Sequence, residues 1–104
     1  MFSLHVEPHA LDRFRDVQPT ADETDLLDTL VDSWVEGWMS HDLVWAVTAR
    51  RNGWDGIDNY YLDRSLRGIF IVRWSDENAA RVVGFLRLHT AQRKILQGRF
   101  RGDA

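Results

Sequence analysis

Residues 20–39 constrain the fold most, because their apolar side chains recur at the spacing of an amphipathic helix. The apolar positions form one broad stripe: Leu26, Leu27, Leu30, Val31, Trp34, Val35 and Trp38. Thr20 and Glu23 have the spacing of a capping box, so the helix is predicted to begin after Thr20 and to continue to about Met39. A stripe of this width has to be buried against a second layer. A Leu30→Asp substitution is therefore expected to unfold much of the domain.

The second half of the chain has the residue pattern of β-strands. Residues 60–62, 69–74 and 81–89 are rich in apolar side chains, and a turn at 75–78 predicts that the last two segments pair antiparallel. Residues 2–6 alternate between apolar and polar, which predicts an N-terminal strand. Residues 43–48 fit either a strand or a short helix capped by Asp42, and their β-branched and aromatic content favours the strand.

Three further segments complete the expected order of elements. A helix is predicted from Pro8, which fits the first helical turn, to the stop signal at Gln18 and Pro19. Residues 50–59 have the signals of a turn-rich loop, and residues 91–100 are compatible with a short helix. The predicted fold class is α+β, with an N-terminal strand and two helices packed on a C-terminal antiparallel sheet of three to four strands. The length predicts a single domain over residues 1–104.

The composition excludes several classes of site. The chain has no cysteine, which excludes disulfides and thiolate metal sites. His5 and His9 straddle a predicted strand–helix boundary and make a poor metal pair, so neither a metal nor another cofactor is expected. No apolar run approaches the roughly 20 residues of a membrane-spanning helix, and the N-terminus lacks the pattern of a signal peptide. A cytoplasmic protein without membrane contact is therefore expected.

His9 and Arg13 are the residues whose spacing suits catalysis best. They lie four residues apart in the predicted first helix, so both side chains project from one face. Histidine exchanges protons near neutral pH, and arginine can hold a phosphate through two hydrogen bonds. This pair suits cleavage of RNA through its own 2′-hydroxyl, a reaction that requires no metal. The alternative is a solvated helix face on which Asp12, Arg13 and Asp16 form local ion pairs.

Three further residues are candidates to complete such a site. Arg73, Arg87 and His89 lie at even spacing or on neighbouring predicted strands, so they are able to share one surface of the sheet. His89 ends a strand, a position that commonly borders a cleft. The alternative is the polar, solvated face of a sheet that is covered on one side.

The string from His9 to Phe14, His-Ala-Leu-Asp-Arg-Phe, resembles the opening motif of a small toxin-like family found on phages and mobile elements. Members begin with a strand and a helix of the pattern His-Ala-Leu-x-Arg, end with an antiparallel sheet, and are grouped with RelE-like and colicin-type metal-independent RNases. The resemblance implies that His9 and Arg13 are catalytic and that RNA is the substrate. It also implies a cognate immunity protein or antitoxin as the partner.

The distribution of charge supports a second hypothesis. Net charge is -3, with acids concentrated in residues 1–48 and bases in residues 49–104. An acidic stripe opposes the apolar face of the predicted long helix: Asp25, Asp28, Asp32 and Glu36. It could dock a basic partner or mimic nucleic acid, which would make the chain a non-enzymatic phage or mobile-element interaction protein. It could also do no more than keep the helix soluble.

Overall fold

The computed structural model describes residues 3–48 and 58–97, which form a sheet with helices on both faces. The elements in chain order are β1 (Ser3–Val6), α1 (Pro8–Phe14), α2 (Glu23–Asp32), β2 (Trp38–Met39), α3 (His41–Thr48), β3 (Asp58–Leu62), β4 (Gly68–Asp76), β5 (Ala79–Arg87) and α4 (Thr90–Leu96). The α+β class is confirmed. The described residues contain four helices and one mixed sheet of five strands, whereas the sequence predicted two helices on an antiparallel sheet of three to four strands.

The strands are arranged in the order β1-β5-β4-β3-β2. Strands β2 to β5 pair antiparallel with their neighbours, whereas β1 joins the edge of the sheet parallel to β5. Because β1 is short, it pairs only with the segment from Ala79 to Val82. The rest of β5, residues 83–87, has β4 on one side and no strand on the other within the described residues.

The two faces of the sheet have separate apolar cores. Helices α1 and α2 cover the first face, where Phe14 lies between Phe70 and Phe85, with ring centroids at 5.7 and 5.3 Å. Helices α3 and α4 cover the second face, where Val44 and Leu96 pack with residues such as Ile69 and Leu88. Each face therefore has its own helical layer, and the edges of the sheet lie between the two layers.

Helix α2 differs from its prediction at both ends. It begins at Glu23 because the Asp22 carboxylate accepts the Asp25 N–H and the Asp25 carboxylate accepts the Asp22 N–H, a capping box two residues later than the one predicted from Thr20. It ends at Asp32 rather than near Met39. Beyond it, a Cβ at Gly37 would lie 2.5 Å from the Leu62 oxygen, so the chain needs glycine to approach β3 closely.

The early end of α2 changes the environment of the last apolar residues in the predicted stripe. Trp34 stacks on Tyr61, with ring centroids 4.4 Å apart, but Val35 and Trp38 are 83% and 48% exposed. Trp38 and Met39 instead form β2 at the edge of the sheet. The prediction that this segment continues as a buried helical stripe was wrong.

Residues 43–48 are helical, so the strand favoured by their composition was also wrong. Ser40 stabilises the start of α3, since its hydroxyl accepts the Leu43 N–H and its carbonyl accepts the Val44 N–H. Val44 and Val47 are buried at helical spacing. Of the predicted loop, residues 50–57 lie outside the described residues, whereas Asp58 and Asn59 begin β3.

The capping box of α2 gives a first testable prediction. An Asp22→Ala substitution removes the acceptor of the Asp25 N–H and is expected to lower the free energy of unfolding by about 1 kcal/mol. Urea denaturation followed by circular dichroism measures the change. Thr20→Ala is the matched control, because Thr20 is exposed and does not cap the helix. A larger loss for Thr20→Ala than for Asp22→Ala would contradict the observed cap.

Candidate functional site

Helix α1 is held against β5 in a way that leaves one of its faces open. Ala10 and Phe14, on the inner face of this helix, are fully buried. The Glu7 N–H just before the helix donates to the Val82 carbonyl at 3.0 Å. Pro8 occupies the first helical turn, where its lack of an N–H costs no hydrogen bond. His9 and Arg13 lie on the exposed side of the same short helix. Their direction is therefore set by the packing of α1 on the sheet.

The exposed side of α1 forms one wall of a cavity of about 660 Å³, which we call the cleft. His9, Arg13 and Asp16 line this wall, and Arg87, His89 and Gln92 line the cleft from the segment where β5 leads into α4. The remaining lining residues come from the sheet and the end of α3: Thr48, Ile71, Val83, Gly84, Phe85 and Leu86. Four of the five predicted catalytic residues thus surround one cleft: His9, Arg13, Arg87 and His89.

Arg73, the fifth predicted residue, lies elsewhere. Its guanidinium makes two hydrogen bonds with the carboxylate of Asp58, its cross-strand neighbour in β3, at 2.8 and 3.2 Å. Asp58 is buried, so Arg73 compensates a carboxylate that has been removed from water. Arg73 is not among the residues that line the cleft. We therefore assign it a structural role.

The arginines inside the cleft differ from most of the described arginines outside it. Four arginines outside the cleft form ion pairs: Arg64 with Glu36, Arg67 with Asp63, Arg73 with Asp58 and Arg81 with Glu7. Arg13 and Arg87 make no ion pair and no side-chain hydrogen bond within residues 3–48 and 58–97. Asp16 also lines the cleft but is not paired with either of them. Both guanidinium groups are therefore available to an anionic ligand.

Gln92 is a residue of the cleft that the sequence reasoning missed. Its side-chain oxygen accepts the His89 N–H at 2.8 Å, and its side-chain nitrogen donates to the Val47 carbonyl at 3.2 Å. Gln92 thereby fixes the backbone of His89 and ties the start of α4 to α3. The three-residue spacing from His89 to Gln92 matches a capping box, but the usual serine or threonine at its first position is replaced by histidine.

The predicted acidic stripe is divided among different roles. Asp25 belongs to the cap of α2, and Glu36 lies beyond the helix in an ion pair with Arg64 at 3.0 Å. Asp28 and Asp32 remain exposed on α2 and make no ion pair in the described part of the chain. The four carboxylates therefore do not act as one continuous free surface.

Two other features are absent from the described residues. These residues contain no helix long and apolar enough to cross a membrane. They also contain no group of three or more His, Cys, Asp or Glu side chains placed to hold a metal ion. Comparisons of the chain with protein-family models, with curated proteins and with solved structures find no match.

Proposed function

We propose that this protein is a metal-independent endoribonuclease of the toxin type, which cleaves RNA through the 2′-hydroxyl. One observation carries the proposal: two histidines and two arginines line the same cleft, have no acidic partner among residues 3–48 and 58–97, and come from distant parts of the chain. The resemblance of His9–Phe14 to the toxin-like motif supports the same assignment. A cognate immunity protein or antitoxin encoded on the same phage or mobile element is part of the proposal.

The histidines supply the proton transfers that this reaction requires. One of His9 and His89 accepts the proton of the 2′-hydroxyl while the 2′-oxygen attacks the adjacent phosphorus. The bond from phosphorus to the 5′-oxygen breaks, and the other histidine donates a proton to that leaving oxygen. The products are a 2′,3′-cyclic phosphate and a 5′-hydroxyl. The nucleophile belongs to the RNA, so the protein needs no nucleophilic side chain.

The arginines bind and stabilise the phosphate. Arg13 extends from α1 and Arg87 from the end of β5, and both guanidinium groups line the cleft. Negative charge grows on the phosphate oxygens as the 2′-oxygen attacks, and a guanidinium fixed beside them favours that charged state. Arginine suits this task because it presents paired N–H donors and remains protonated at neutral pH.

The decisive experiment is cleavage of RNA in the presence of EDTA. The purified protein is expected to fragment total tRNA or mRNA under these conditions, because no step of the reaction passes through a metal. The 3′ ends should carry 2′,3′-cyclic phosphates, which block ligation through the 3′-hydroxyl until the phosphate is removed, and the 5′ ends should be hydroxyls. Intact RNA after incubation, or fragments with 5′-phosphates, would contradict the proposal.

A further inference from the structure

Five consecutive residues of β5, from Val83 to Arg87, line the cleft. Side chains alternate between the faces of a sheet, so a cavity above one face contacts every second residue. A cavity that contacts five in succession must reach the strand from its edge. This agrees with the pairing of β1, which covers β5 only as far as Val82. The cleft is therefore open to the backbone of a free sheet edge.

The backbone groups that face the cleft follow from the register of β5 with β4. The Leu88 N–H donates to the Arg67 carbonyl at 3.0 Å, and Leu86 pairs with Ile69 two residues earlier. Alternate residues of an antiparallel strand direct their N–H and C=O groups to opposite sides. Phe85 and Arg87 therefore direct these groups away from β4, toward the cleft. Because none of the described residues pairs with them, they can bond to an additional extended chain.

The side chains around this edge define the chemistry of such a chain. On the side of α1 they are His9, Arg13 and Asp16, joined by Arg87. The two arginines outnumber the single carboxylate and have no acidic partner in the described residues. On the side of α3 and α4 the sheet presents Ile71 and Leu86, which are apolar and half-buried. An added strand would therefore place acidic residues toward α1 and apolar residues toward the second face.

We propose that the free edge of β5 binds an extended acidic segment of a partner protein as an added strand. Acidic residues at every second position pair with Arg13 and Arg87, and the apolar residues between them contact Ile71 and Leu86. Two features disfavour pairing of this edge with strands that lack acidic residues: the irregular register of β5 near Val82 and the charge of Arg87. The bound segment lies in the cleft beside His9, so it competes with any other ligand there.

Amide hydrogen exchange with a synthetic peptide tests this inference. The probe is an end-blocked peptide of alternating glutamate and valine, long enough to cover residues 83–87. Exchange at the Phe85 and Arg87 amides is expected to slow by at least about tenfold at saturation, because each gains a hydrogen-bond partner. The Leu86 amide serves as the internal reference, since it already faces β4.

Two control peptides separate strand pairing from charge. N-methylation of every backbone amide of the peptide keeps the negative charge but removes its backbone donors and blocks close approach to β5, and lysine in place of each glutamate reverses the charge. Neither should protect the two amides. Arg13→Ala should weaken binding of the acidic peptide, whereas Arg64→Ala, which lies outside the cleft, should not. Equal binding of the N-methylated peptide would contradict strand addition, as would equal protection of both amides by a short RNA.

The result of the peptide experiment does not depend on catalysis, because amide hydrogen exchange is measured without RNA cleavage. A protein that binds the peptide but leaves RNA intact would contradict the proposed function alone. A protein that cleaves RNA but shows no protection at Phe85 and Arg87 would contradict the added strand alone.

Discussion

A Leu30→Asp protein is expected to be largely unfolded. Leu30 is completely buried in the core that α2 shares with Phe14 and Phe70. The substitution removes about 1.5–3 kcal/mol of apolar burial. It also buries a carboxylate without a partner, which costs roughly 3–5 kcal/mol by comparison with broken buried ion pairs. Their sum approaches the whole free energy of unfolding of an ordinary domain, about 5–15 kcal/mol.

Val31→Asp is the matched control for this substitution, because it introduces the same side chain one residue later in the same helix. Val31 is 63% exposed. It lies in the last turn of α2, where a negative charge interacts unfavourably with the helix dipole by about 0.3–1 kcal/mol. Circular dichroism and urea denaturation of both variants measure the difference. Similar losses of stability in the two proteins would mean that Leu30 does not face the core.

The strands of the second half were predictable because their signals are local. The apolar runs in β4 and β5 and the turn between them lie within a few residues of each other. The end of α2 was not predictable in this way, since the apolar spacing continues through Trp34 and Trp38 although the helix stops at Asp32. The cause is tertiary: Gly37 packs against Leu62, and Trp38 pairs with Tyr61.

The same distinction applies to the cleft. That His9 and Arg13 share a face follows from helical spacing alone, and the structure shows both on one wall. Their meeting with Arg87 and His89 depends on the parallel pairing of β1 with β5, a contact between residues far apart in the sequence. The position of Arg73 outside the cleft was not predictable for the same reason, because its ion pair with Asp58 depends on the register between β3 and β4.

His9→Ala and His89→Ala proteins are each expected to cleave RNA about 10²- to 10⁴-fold more slowly, the usual contribution of a general acid or base. Both side chains are exposed, so neither change should alter the unfolding midpoint by much. Initial rates on one labelled oligonucleotide, with the fold of each variant checked by circular dichroism, measure the effect. His5→Ala is the matched control, because His5 is exposed on β1 and does not line the cleft.

The double variant tests whether the two histidines act in one step. When two groups act in the same transition state, the rate losses from removing each of them do not multiply. The His9→Ala/His89→Ala protein should therefore be scarcely slower than the slower single variant. Rate losses that multiply would indicate two independent contributions, with one histidine acting on binding alone. A His9→Ala protein as active as the wild type would instead mean that His9 takes no part in the cleavage. The cleavage would then have to be assigned to the other described residues of the cleft, among which the remaining histidine is His89, whose backbone N–H is bound by Gln92.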